Sequence, residues 1–485
     1  SSMLQARGRC GVGPRGVPCA LPTRSSRRAV ARCSAASSAH EDVAGLLRAV
    51  GEKRSAKPAR ESAAALLAAL DRRASTSPTA RAAEVARLVL DAEAGSDDRG
   101  GAAFGGREGA ERARCLTAAV FLCGRAGEWQ TAAAICEEGF SAAGIAPGAF
   151  PFALAAAGAW GAAAPISAVD ALLGNAEADS KGAARKARRA KSRKGGTRGG
   201  IAARQAKAAS PAQPRGIAEK PDVLYEDEHM SVLCKPANML THPVAGGGGG
   251  DKRTLADCAL SLLGEKRTSA LFGPTARGVA HRLDRGTSGC VAVARHSLAH
   301  ARLAYLFFEP GVVNKEYVAL LQLNDGAAVL SAPGTGELAT PVDRLPARTR
   351  YELVATQTGA RGGAGVAMLR AWPATGRRHQ IRVHAVEGLG AAVIGDEIHG
   401  PGPSALPLAV REVLAPHKQG AVHLLHARRL QLPHPLVPRD DEVCCADYDC
   451  SSTLPAMVDV EAPFPRHFAE IARNTGLTLC GQTMP

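Results

Sequence analysis

The run His281-Arg282-Leu283-Asp284-Arg285-Gly286-Thr287-Ser288-Gly289 sets one carboxylate between two arginines. The stretch after it, Cys290-Val291-Ala292-Val293-Ala294, is small and apolar and suits a buried strand. Asp284 is therefore expected on a tight loop entering a sheet, its backbone fixed and its side chain facing a cleft. Taken alone, an Arg-x-Asp triplet is most often a surface ion pair. A second basic run, Gly376-Arg377-Arg378-His379-Gln380-Ile381-Arg382-Val383-His384, is expected to open a helix. Arg378 and Arg382 then lie four apart on one face, so that one can clamp a carboxylate while the other meets phosphate. Without further context they would be two exposed cations on an amphipathic helix. Thirteen cysteines are scattered without a C-x-x-C pair, and the nearest thing to a cluster, Cys444, Cys445 and Cys450, has no histidine pair at finger spacing after it. No metal site is expected. A glycosidase would need a second carboxylate at a suitable separation, and this motif offers none.

The whole string His281–Gly289 resembles the signature loop of RluA-type RNA pseudouridine synthases, and four further stretches resemble that family in the family's order. They are Asp222–Pro243, with Lys235-Pro236 as its Lys-Pro turn; Asn314-Lys315-Glu316-Tyr317-Val318-Ala319-Leu320; Gly376–His384; and His423–Pro435. The resemblance spans roughly half the chain. It implies an α+β fold around a mixed, mostly antiparallel sheet, with Asp284 as the catalytic residue, Arg382 against it and Tyr317 stacked on the uracil. It further implies Leu283 and Ile381 as apolar wall of the base pocket, and Arg282, Arg378, His379, Lys235 and Lys315 as contacts to RNA. Arg282, two residues before the acid, would fill the space a flipped base leaves. The reaction breaks the bond from uracil nitrogen to ribose, turns the base and rejoins it through carbon, so neither redox change nor hydrolysis occurs and no cofactor is required. The carboxylate attacks the anomeric carbon or takes a ribose proton, and a cationic neighbour favours the ionised form that either role needs. Two departures stand out: Cys290 replaces a large aliphatic residue, and His399 stands where tyrosine is common. A catalytically idle RNA-binding or ribosome-assembly factor on the same fold is the rival reading, against which the joint presence of Asp284, Tyr317 and Arg382 argues.

The elements that position these residues occupy the second half of a 485-residue chain, long enough for two or three folded units. The net charge of +15 is unevenly spread: residues 1–40 carry +7 and residues 181–215 carry +12, both without an acid. A folded remainder that is slightly acidic must meet a polyanion through a local patch. Residues 1–40, rich in Arg and Ser, have the composition of an organelle transit peptide, plastid in the first instance and mitochondrial in the second. Residues 41–178 carry apolar positions at helical spacing and a repeat echo between Cys123–Trp129 and Ala157–Trp160, so a helical, pentatricopeptide-like region is expected. Residues 179–220 read as a basic disordered linker that either tracks phosphate or merely spaces. Residues 221–472 form the catalytic unit and 473–485 a tail. No apolar run is long enough to span a bilayer, and a monomer acting on ribosomal or transfer RNA is expected.

Overall fold

A computed structural model describes residues 107–125, 127–142, 145–194, 220–243, 254–264, 268–273, 275–309, 311–323, 334–357, 365–400, 408–415, 422–440, 442 and 454–477. The expected transit peptide, the Gly246–Gly250 run, the Cys444–Cys450 group and most of the loops around Arg361 and Pro401 lie outside these residues.

Short runs of alternating or wholly apolar residues build the sheet. Its strands are β1 (Asp222–Glu226), β2 (Met230–Lys235), β3 (Ser288–Ala294), β4 (Asn314–Leu323), β5 (Gly334–Leu338), β6 (Thr349–Gln357), β7 (Val366–Pro373), β8 (Ala391–Val393), β9 (Leu425–Pro433) and β10 (Met457–Glu461). They run in the order β1-β2-β3-β9-β4-β7-β6-β5, with β10 beside β9 and β8 beside β4. Every pair is antiparallel except β3 with β9, which touch in parallel at Ser288–His426 and Gly289–Ala427. The mixed, mostly antiparallel sheet expected from the resemblance is present. The parallel contact demands Gly289: its φ is +115°, and a Cβ there would sit 2.2 Å from the carbonyl oxygen of Ala427.

Helices of the first half pack on this unit. α1 (Arg107–Arg125), α2 (Trp129–Ala134, continued through a π-turn and a last turn to Ala142), α3 (Ala149–Gly161) and α4 (Ile166–Lys194) precede the sheet. Within it come α5 (Leu255–Leu263), α6 (Ser297–Phe308), α7 (Gln380–Leu389), α8 (Leu408–Leu414) and α9 (Arg466–Asn474). Thr254 and Asp257 cap α5 reciprocally, the Thr254 hydroxyl accepting from the Asp257 N–H and the Asp257 carboxylate from the Thr254 N–H.

Two expectations about boundaries fail. α4 runs to Lys194, well into the expected linker, because Ala, Lys and Arg hold a helix by propensity without any apolar stripe. At the other end α9 passes residue 472, and Leu477 is buried against β4 and β7, so the tail begins later than expected. The helical stretch is also no separate module. One core joins Leu116, Val120, Phe152 and Trp160 of the helices to Leu271, Leu298, Ala301 and Tyr305 beside the sheet. At its centre Arg302 of α6 forks onto Glu442 at 2.9 and 2.6 Å, donates to the Ala157 carbonyl and lies over the Trp160 ring at 4.4 Å. Glu309 pairs with Arg439 at 2.9 Å and with Arg125 of α1. Further along, the Ser180 hydroxyl donates to the Leu271 carbonyl.

Candidate active site

The loop 281–287 reaches β3 where the sheet changes from antiparallel to parallel pairing, and four contacts pin it. Thr241 holds Leu283 at both backbone groups, its oxygen accepting from the N–H at 3.2 Å and its O–H donating to the carbonyl at 2.8 Å. Lys235 donates to the carbonyls of Pro236, Met239 and Arg285 at 3.0, 2.8 and 3.2 Å. Thr287 meets His423 Nε2 at 2.9 Å, and Ser288 meets His426 Nδ1 at 2.8 Å. His426 Nε2 faces the Ala462 carbonyl, so Nδ1 is the acceptor of the Ser288 hydroxyl. With neighbours fixed on both sides, Asp284 keeps a partly exposed carboxylate in one position.

That carboxylate faces α7. Arg382 Nη1 donates to Asp284 Oδ2 at 3.2 Å, while Nε and Nη2 form a fork on Asp396 at 2.8 and 2.5 Å. The guanidinium therefore does not clamp Asp284 with two parallel donors. Its planar fork is spent on Asp396, and one outer donor is left for Asp284. Arg382 and Asp396 are almost wholly buried. Burial alone would raise the Asp396 pKa, but its bonds to Arg382 and to the N–H groups of His399 and Ile398 hold it down at about 2. Burial works against the Arg382 cation, and the two carboxylates outweigh it and raise its pKa.

His379 Nε2 lies 3.9 Å from Asp284 Oδ1, and His379 Nδ1 lies 3.0 Å from His399 Nε2. Burial lowers the His379 pKa, partly opposed by the Asp284 charge, and so favours the neutral ring. Tyr317, on β4 between Ala427 of β9 and Ala371 of β7, has its pKa raised by burial first and by the Asp284 charge second. It is a neutral phenol with a carboxylate nearby.

The remaining expected site residues divide. Arg282 is exposed beside the acid. Arg378 is exposed too, yet α7 starts only at Gln380, after His379 in a left-handed conformation with φ +56°, so Arg378 shares no helical face with Arg382. The turn is held instead by Gln380, whose side-chain oxygen accepts from the Arg377 N–H and the Thr375 hydroxyl while its amide donates to the Arg348 carbonyl. Lys235 is a correction: it is fully buried under the loop, where desolvation pulls its pKa down to about 7, and it cannot reach a phosphate. Lys315 is half-buried on β4, and burial lowers its pKa. Leu283 and Ile381 belong to the cores beneath the site, with Tyr317 packed against both clusters. Sequence reasoning does not find Asp396 as a site residue. The only signal for it is a glycine just before it, and the fourteen residues that separate it from Arg382 suggest no pairing. Among the described residues no group of three or more His, Cys, Asp or Glu side chains is arranged to hold a metal ion. Nor is any described helix long and apolar enough to cross a membrane.

A pinned carboxylate, one arginine shared between two acids, and a half-buried phenol meet at the junction of the sheet. Residues 229–387, in the C-terminal half of the chain, match the family described as RNA pseudouridylate synthase. Ribosomal large subunit pseudouridine synthase D of Zymomonas mobilis is 31% identical over 225 residues, covering 44% of this chain and 65% of that protein. RNA pseudouridine synthase 2, chloroplastic, of Arabidopsis thaliana is 27% identical over 300 residues, covering 53% of this chain and 66% of the relative. An uncharacterized RNA pseudouridine synthase of Bacillus subtilis is 29% identical over 261 residues, covering 52% and 72%. The chain thus spans just under two thirds of the length of the first two relatives.

Proposed function

We propose that this protein isomerises uridine to pseudouridine in RNA, with Asp284 as nucleophile or base, Tyr317 against the uracil and Arg382 holding the carboxylate in position. The observation that carries the reading is the single Arg382 donor at 3.2 Å on a carboxylate that is partly exposed. An acid kept merely for structure would take the fork, as Asp396 does. The target uridine must leave its stack to reach Asp284, and the exposed Arg282, two residues before the acid, fills the space. No cofactor enters the scheme, since the rearrangement balances within the nucleotide. The RNA is ribosomal and the compartment an organelle, a plastid before a mitochondrion. That choice is supported by the arginine-rich, acid-free first forty residues and by the chloroplastic designation of the Arabidopsis relative. The protein acts as a monomer.

Asp284→Asn tests the assignment, because it removes the charge and almost no volume. Conversion should vanish while RNA affinity and thermal melting stay near wild type. Activity within about tenfold of wild type would remove Asp284 from the chemistry, since loss of an essential covalent or basic group costs far more. Mapping pseudouridines in organellar RNA with and without the protein identifies the site and tests the compartment.

A further inference from the structure

Ile398 is the most exposed large hydrophobic among the described residues, 63% accessible, and no core claims it. A lone exposed isoleucine ordinarily needs no explanation, but this one is tied to the site at three points. Its own N–H donates to Asp396 Oδ1 at 3.0 Å, the oxygen that also receives Arg382 Nη2. The next residue, His399, donates its N–H to the same oxygen at 3.2 Å and sets its ring 3.0 Å from His379, which abuts Asp284. The turn closes with the Gly400 N–H on the Asp396 carbonyl at 3.0 Å. The ion network that aims Arg382 thus also holds the backbone that presents Ile398 to solvent. The other exposed side chains that flank Asp284 in sequence or through His379, Arg282 and Arg378, are cations suited to phosphate. An aliphatic side chain on a backbone held this way is suited to a base.

We propose that Ile398 is a specificity residue that packs against the nucleobase next to the target uridine, bracing the gap that Arg282 fills when the uridine flips out. Branched aliphatic side chains serve in this way where a protein must wedge apart two stacked bases. The contact rests on the pseudouridine reading of the site, and it acts on RNA whose target lies in a stacked helix rather than on RNA already single-stranded.

The test uses the full chain and its Ile398→Ser and Ile398→Phe variants. The probes are an RNA hairpin with one target uridine in its stem and 2-aminopurine beside it, and the single-stranded form of the same sequence. Ile398→Ser should lower kcat/KM on the hairpin by roughly tenfold and leave the single strand within about twofold, the size expected when one apolar contact is lost. Ile398→Phe should recover the hairpin rate, and neither variant should shift thermal melting. The 2-aminopurine emission should change on binding wild type and the Phe variant and not on binding the Ser variant, whether or not the RNA is converted. Equal losses on both RNAs, or no loss on either, overturn the proposal. Wild-type protein that changes the emission yet converts no uridine overturns the catalytic reading and leaves the base contact intact.

Discussion

Asp396→Asn separates aim from charge at the site. In the wild type both oxygens of Asp396 receive Arg382, at 2.8 and 2.5 Å, and both side chains are at most 4% exposed. Removing one member of a pair so buried costs about 3–5 kcal/mol, because the other charge stays out of water without its counter-ion. Asparagine keeps one acceptor, which sets the expected loss at the lower end, about 3 kcal/mol. The guanidinium then has a single carboxylate left, Asp284, and must rotate toward it, so the one outer donor at 3.2 Å gives way to a tighter and differently oriented pair. A displacement on the order of 1 Å at a reacting group costs about a hundredfold in rate. The assay is single-turnover release of tritium from C5-labelled uridine at saturating RNA, alongside urea denaturation. Both quantities should fall, and raising RNA should not restore the rate. If stability falls as expected while the saturated rate stays within about threefold of wild type, against the hundredfold expected from misplacement, then Asp396 is a structural partner alone and the geometry at Asp284 does not depend on the fork.

Two further outcomes follow from the same contacts. Arg302→Met strips Glu442 of the guanidinium it meets at 2.6 Å, and a chain beginning at residue 220 strips Arg302 of the Ala157 carbonyl and the Trp160 ring; stability should drop by about 3–5 kcal/mol in the point variant, and the shortened chain should fail to give a cooperative melt, whereas an equal melting temperature would make the helices a detachable module. Acid should weaken the fold between pH 6.5 and 4: burial pushes His296 and His423 down to about 4, so the unfolded chain binds more protons in that window and stability falls with pH by up to about 1.4 kcal/mol per unit for each ring. Urea titrations from pH 7 to 4.5 would show the slope, His423→Gln should reduce it, and a flat profile would refute the buried neutral rings.

How far the sequence alone reaches depends on whether a residue's role is local. The loop around Asp284 is readable because its turn, its glycine and the apolar strand after it are contiguous, and the glycine has a visible cause in the Ala427 carbonyl. Lys235 is misleading because a lysine is exposed by default, and only the return of Met239 and Arg285 to its ammonium shows that it is buried. Arg378 misleads because four-residue spacing implies a shared face only inside a helix, and the left-handed His379 starts the helix too late. The basic stretch after Ser180 has no apolar period, so a pattern search sees a linker where propensity makes a helix.

The largest departure, that the helical half is no separate appendage, has the same root. An arginine inside Ser297–Phe308, a stretch otherwise mostly apolar, looks like the one polar face of a helix packed on a sheet. In the fold that helix is covered on both sides, by β3 on one and by α3 on the other, and Arg302 is the buried node between them. Its charge is satisfied by groups from two distant segments, the Ala157 carbonyl on one and the Pro435 carbonyl and Glu442 on the other, none of which any spacing rule connects to it. Because α6 follows directly on β3, whose first residues are set by the pinned Asp284 loop, loosening the helices should be felt at the site. The direction is one-way in size: an Arg302 variant should lose far more stability than activity per folded molecule. Asp396→Asn should lose proportionately more activity, so the ratio of the two losses distinguishes a scaffold contact from a positioning one.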